Sequence, residues 1–170
     1  TSRGLGDVYK RQRVDKIVPV DGVPTGGGGG IVQVQMGVTT GQSVSTSGNW
    51  DATALSVTIT PKFATSKILL MCSGGMNGAA GGSDGETYGY KIYKSVGGGS
   101  YAETESSAWG QAVYYGGGNE YNNLSINYLD SPSTTSANIY KLYQKRINCS
   151  GDDSFYINNN RQHQIIDMED

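Results

Sequence analysis

The chain has 170 residues, with 13 Lys and Arg, 15 Asp and Glu, one His and a net charge of −2 at neutral pH. Only 16% of its residues are charged and 26 are Gly, against about 25% charged and about 7% Gly in an average soluble domain. This balance excludes a basic grip on phosphate backbones, and the lack of a continuous apolar run of about 18 residues excludes a membrane-spanning helix.

Residues 1–12 include Gly4-Leu-Gly-Asp-Val-Tyr-Lys-Arg-Gln12, which resembles a translated sequencing-adapter artefact that precedes open reading frames in metagenomic assemblies. The chain starts at Thr rather than Met, so this segment is expected to be non-native and is set aside from fold reasoning. Without Arg3, Lys10, Arg11 and Asp7 the basic residues fall from 13 to ten and the acidic from 15 to fourteen, moving the net charge from −2 to −4. Residues 13–30 hold Pro19, Pro24 and the run Gly26 to Gly30 with no periodic apolar pattern, and read as a linker.

From Ile31 onward the pattern predicts a single β-domain over 31–170. Ile31–Met36 reads as a strand, and Thr39–Asn49 as a Ser/Thr/Gly loop or weak polar strand. Leu55, Val57 and Ile59 alternate with hydroxyl residues up to Pro61, the mark of a half-buried strand. After its leading lysine, Lys67–Cys72 is a continuous apolar run, as expected of a central strand covered on both faces. Gly74–Gly85 reads as a glycine-rich loop. Tyr88, Tyr90 and Ile92 share one strand face, and Gly97-Gly-Gly99 marks a hairpin turn. Ala108–Tyr115 and Tyr121–Leu129 flank a second turn at Gly116–Asn119, and the final strands fall at 136–147, 155–157 and 164–168. About ten short strands with turns every 8–15 residues or so point to an all-β antiparallel sandwich.

Three stretches stand out as motifs. The first is Tyr128-Leu-Asp-Ser-Pro-Ser-Thr-Thr-Ser-Ala-Asn-Ile-Tyr-Lys141, a strand end, a polar turn and a new strand. The second is Leu55–Leu70, with its Thr-Pro and Ser-Lys turn. The third is Lys16–Pro24 with the glycines and Ile31-Val-Gln-Val34 that follow. Together they resemble the domain found near the C-terminus of tailed-phage tail fibres and other virion structural proteins. The likeness covers most of residues 16–170 and departs from the family at Trp50, Lys62, Phe63 and the Tyr-rich middle. It implies a jelly-roll-like β-sandwich in a virion tail appendage, assembled in the host cytoplasm. It also implies a homo-oligomer (a trimer first), other virion tail proteins as neighbours, and attachment to a host-surface glycan or protein without catalysis. A purely architectural capsid or fibre component and a polysaccharide-degrading domain are the rival functions.

The candidate ligand-binding cluster lies around the second turn: Trp109, Tyr114, Tyr115, Asn119, Glu120 and Tyr121. Aromatic rings offer contact area with little entropy to lose, and amide or acidic acceptors beside them suit sugar hydroxyls; equally, such rings fill cores and pair across strands. Catalytic chemistry is not expected. His163 is the sole His, GxSxG is absent, and Glu103 and Glu105, two acids on one face of an expected strand, more often face water than cleave glycosides. No cofactor or metal is expected: Cys72 and Cys149 lack CxxC partners, the Gly74–Glu86 run lacks a P-loop ending, and Asp84, Glu86, Asp152 and Asp153 are too few for a calcium shell. A Cys72–Cys149 bridge requires the two strand ends to be neighbours.

Overall fold

The computed structural model describes residues 31–79, 86–116, 121–148, 154–157 and 163–169. The expectations for residues 1–12 and 13–30 lie outside them. Ile31–Asp170 forms one compact unit. Eleven strands make up the described residues: β1 (Gln33–Thr39), β2 (Ser43–Ser45), β3 (Asp51–Ile59), β4 (Ile68–Ala79), β5 (Glu86–Val96), β6 (Ala102–Glu103), β7 (Ala112–Gly116), β8 (Tyr121–Asp130), β9 (Asn138–Asn148), β10 (Ser154–Ile157) and β11 (His163–Glu169). They form two sheets, and every pairing is antiparallel. The six-stranded sheet runs β1-β11-β4-β10-β2 with β8 on the other edge of β4; the five-stranded sheet runs β3-β9-β5-β6 with β7 also on β5.

One core joins the sheets. Ile68, Leu70, Cys72, Met76, Leu124 and Ile126 from the six-stranded sheet meet Leu55, Val57, Ile59, Tyr88, Tyr90, Ile92, Tyr140 and Leu142 from the five-stranded one. These residues alternate along their strands because the side-chain period of a strand is two. Burying one such aliphatic side chain stabilises by about 1.5–3 kcal/mol. The all-β antiparallel sandwich is therefore the observed fold.

The alternation corrects the reading of Lys67–Cys72. β4 has partners along both edges, yet only one of its faces is covered: Ile68, Leu70 and Cys72 are buried while Met71 is 41% exposed. The glycine-rich loop expected from Gly74 is a strand as far as Ala79. Its backbone pairs with β8 from Gly74↔Leu124 to Asn77↔Tyr121, and with β10 at residues 76–79. Ladder hydrogen bonds on two sides hold glycines extended where local propensity does not.

Two local devices close the five-stranded sheet. Gly97 and Gly98 both have positive φ, and Gly99 N–H donates to the Val96 carbonyl at 3.0 Å, giving the tight hairpin turn expected there. On the outer edge of β5 the partner is β7 as far as Tyr90 and β6 from Tyr93 onward. Side chains fill the gap. Gln111 Oε1 accepts from Ile92 N–H at 2.7 Å, Gln111 Nε2 donates to Thr104 Oγ1 at 3.2 Å, and Thr104 Oγ1 donates to the Ile92 carbonyl at 2.6 Å.

Asp130, the last residue of β8, ties one sheet to the other. Its Oδ2 accepts from Tyr140 Oη at 2.6 Å on β9 and from Lys94 Nζ at 2.8 Å on β5. Cys72 is a free thiol in the core, and burial pushes it up to about 12, so it stays protonated and unreactive at neutral pH. Cys149, the other half of the conceivable bridge, lies outside the described residues.

Candidate functional site: an aromatic and lysine platform

The expected cluster around residues 116–119 is only partly within the described residues. Asn119 and Glu120 lie outside them. Trp109 is 54% exposed in the segment before β7. Tyr114 and Tyr115 are consecutive residues of β7, paired with Tyr88 and Thr87, whereas Tyr121 opens β8 opposite Asn77 in the other sheet. The sequence cluster is thus divided between two sheets. Glu103 and Glu105 do not share a strand face either: β6 is two residues long and ends at Glu103.

A different constellation covers the outer face of the five-stranded sheet. Tyr93 of β5, Tyr143 of β9, Tyr101 just before β6 and Trp50 just before β3 are all half-buried. They form a file. Tyr101 and Tyr143 have ring centroids 6.0 Å apart, Tyr143 stacks on Tyr93 at 4.1 Å, and Tyr93 meets Trp50 at 6.4 Å. The register explains the arrangement: Lys141 pairs with Tyr93 and Tyr143 with Lys91, so aromatic and cationic residues alternate on adjacent strands of one face.

Three lysines complete the site. Lys91 Nζ lies 4.8 Å and Lys145 Nζ 5.7 Å from the Trp50 ring centroid, and Lys141 Nζ lies 5.6 Å from that of Tyr101. These are cation–π distances. Lys91 is 1% exposed and bonds Glu103 Oε2 at 2.7 Å, so its charge is neutralised within the platform. Lys141 and Lys145 make no ion pair among the described residues. The face therefore carries positive charge on a chain whose net charge is −2.

Trp50 sits on glycines. A Cβ on Gly89 would overlap the Trp109 carbonyl oxygen, come within 2.8 Å of Ile147 Cδ1 and lie 3.1 Å from the Trp50 Cη2. A Cβ on Gly110, whose φ is +93°, would overlap the Tyr90 carbonyl oxygen and lie 3.0 Å from the same indole atom. Only glycine leaves room for the ring.

Sequence reasoning missed this site. It noted Trp50 as a departure from the family pattern but had no means of bringing residues 50, 93, 101 and 143 together, since the strand order that does so is not periodic. The alternation Lys91, Tyr93 and Lys141, Tyr143, Lys145 was the available signal.

The chain matches no family model and no curated protein. The site must therefore be interpreted from its own chemistry. Among the described residues no group of three or more His, Cys, Asp or Glu is placed to hold a metal ion.

Burial lifts the Tyr93 hydroxyl first, with the nearby Glu103 carboxylate adding to it, to about 12. Burial also raises Tyr143, helped by Tyr101. A raised phenol favours the protonated, folded form: this contribution is fully present below the ordinary value near 10 and is lost as pH climbs from about 10 to about 12. Absorbance at the phenolate band should show late-ionising tyrosines, and Tyr93→Phe should remove one equivalent from the step near pH 12. Its persistence in the variant would refute the assignment.

Proposed function

We propose that this chain is a virion structural protein, a tail-fibre-type domain that attaches to a host-surface glycan without transforming it. The single observation that carries the reading is the file of four rings flanked by Lys141 and Lys145. Aromatic faces stack on the C–H faces of sugars, and ammonium groups beside them attract carboxylate or sulfate substituents. Acidic surface polysaccharides are therefore the ligand class the platform fits best. Glu103, the acid closest to the rings, is engaged by Lys91. That engagement favours binding over glycoside cleavage, which needs a second carboxylate nearby.

The viral attribution draws on the resemblance of Leu55–Leu70 and Tyr128–Lys141 to tail-fibre domains. The strand order supports it. β1-β11-β4-β8 faces β3-β9-β5-β7, the order of two interleaved Greek keys, and we read the fold as a jelly roll, an architecture that recurs in viral capsid and lectin domains. Fold likeness does not establish function, so the test is made at the site. The chain should bind a sulfated or uronic-acid polysaccharide more tightly than a neutral one, with affinity falling as salt rises. Tyr143→Ala and Lys145→Gln should each weaken binding about tenfold, or ~1.4 kcal/mol. If Trp109→Ala alone abolished binding, the site would return to the loop cluster. Absence of all binding would favour the purely architectural role, and release of reducing ends would favour the polysaccharide-degrading one.

A further inference from the structure

The charges on the platform are placed unevenly along its file of rings. Lys141 stands at one end, its Nζ 5.6 Å from the Tyr101 ring centroid, and Lys145 at the other, its Nζ 5.7 Å from that of Trp50. Both belong to β9, four residues apart on the face that carries Tyr143, so their Cα atoms are separated by about 13 Å. The middle is different. Tyr93, stacked on Tyr143, is flanked in register by Lys141 of β9 and by Glu103 of β6. The Glu103 side chain is 45% exposed, whereas that of Lys91, its partner at 2.7 Å, is 1% exposed. Of this pair the carboxylate is therefore the member that an incoming ligand meets. It lies close enough to the Tyr93 hydroxyl to help raise it.

The geometry points to selection by charge spacing: the two ends of the platform take acid groups and its centre takes an uncharged sugar, so the ligand is a polysaccharide with neutral sugars between its acid groups. This selectivity rests on the glycan-binding role proposed above. An ammonium at each end attracts a carboxylate or sulfate. In the centre a ligand anion would face the Glu103 carboxylate, and juxtaposed like charges oppose binding. Lys91 does not relieve the repulsion, because its ammonium is shielded from solvent beside the Trp50 ring and already engaged by the same carboxylate. A neutral sugar meets no such obstacle. Its C–H face can rest on the Tyr93 and Tyr143 pair, and Glu103 can accept from its hydroxyls. Glu103 thus acts as a specificity-determining residue, and the ion pair with Lys91 holds it in place.

Calorimetric titration of the full chain with three hexasaccharides tests the inference. One is neutral and cut from amylose, one has a carboxylate on every second sugar and is cut from hyaluronan, and one has acid groups throughout and is cut from heparin. The hyaluronan fragment should bind about fivefold more tightly than the heparin fragment, although the latter carries more charge. Lys141→Gln and Lys145→Gln should each weaken the hyaluronan fragment about tenfold. Glu103→Gln should strengthen the heparin fragment about fivefold and the hyaluronan fragment less than about twofold. Because that change leaves the Lys91 charge buried alone, Lys91→Met with Glu103→Gln provides a variant without an unpaired buried charge. In it the preference between the two acidic fragments should shrink to about twofold or less. A wild-type chain that prefers the heparin fragment overturns the selection by spacing and leaves the glycan-binding role standing, and so does a preference unchanged in the double variant. Equal binding of all three fragments removes the part given to the two lysines, and binding of none overturns both the selectivity and the role it rests on.

Discussion

Asp130→Asn should destabilise the protein by about 3 kcal/mol, because it removes one partner of a charge pair that is largely shielded from water. The Asp130 side chain is 9% exposed and its carboxylate accepts from both the Tyr140 hydroxyl and the Lys94 ammonium. Asparagine keeps the shape and part of the hydrogen bonding, but leaves the Lys94 charge unbalanced between the sheets. For a chain of this size the melting temperature should drop by roughly 6–12 °C. Adding Lys94→Met should recover much of the loss, since the uncompensated charge leaves with it. A shift below about 1 kcal/mol for Asp130→Asn would mean that the carboxylate is not the cross-sheet tie that the geometry indicates.

Gly110→Ala is expected to have an effect of the same order, about 3 kcal/mol or more, from two sources that a control separates. At φ +93° an L residue is strained, and its Cβ would collide with the Tyr90 carbonyl and press on Trp50. Gly98 has a comparable φ of +80° with nothing within 4 Å of the added Cβ. Gly98→Ala should therefore cost only the strain, about 1–2 kcal/mol. The excess at Gly110 measures packing against the indole. Gly110→Ala should also weaken the proposed glycan binding, by displacing Trp50, whereas Gly98→Ala should leave it alone. Equal losses of stability in chemical denaturation would remove the packing argument.

The fold was largely legible because period-two alternation reports which face of a strand is buried. Leu55, Val57 and Ile59, and Tyr88, Tyr90 and Ile92, lie in the core as that pattern requires. The reading failed where neighbours outweigh local preference. Gly74 to Ala79 is extended because β8 and β10 pair with it, which no property of a glycine-rich string announces. The apolar run Lys67–Cys72 was read as doubly covered because an outward Leu69 and Met71 look, in sequence, like inward ones. The site was less legible still. Trp50, Tyr93, Tyr101 and Tyr143 lie on four strands or strand approaches and meet only through the order β3-β9-β5-β6, whereas Tyr115 and Tyr121, close in sequence, begin on different sheets.

The seal that Gln111 and Thr104 place over Ile92 has a further consequence for the protein at high concentration. An unpaired stretch of strand backbone is a template on which another chain can add its own strand, and growth from such an edge leads to aggregates. Here the amide of Gln111 and the hydroxyl of Thr104 occupy the donor and acceptor of Ile92 themselves. The gap between β6 and β7 thus offers an incoming strand no free rung, and crowding of many molecules can proceed without misassembly along this border.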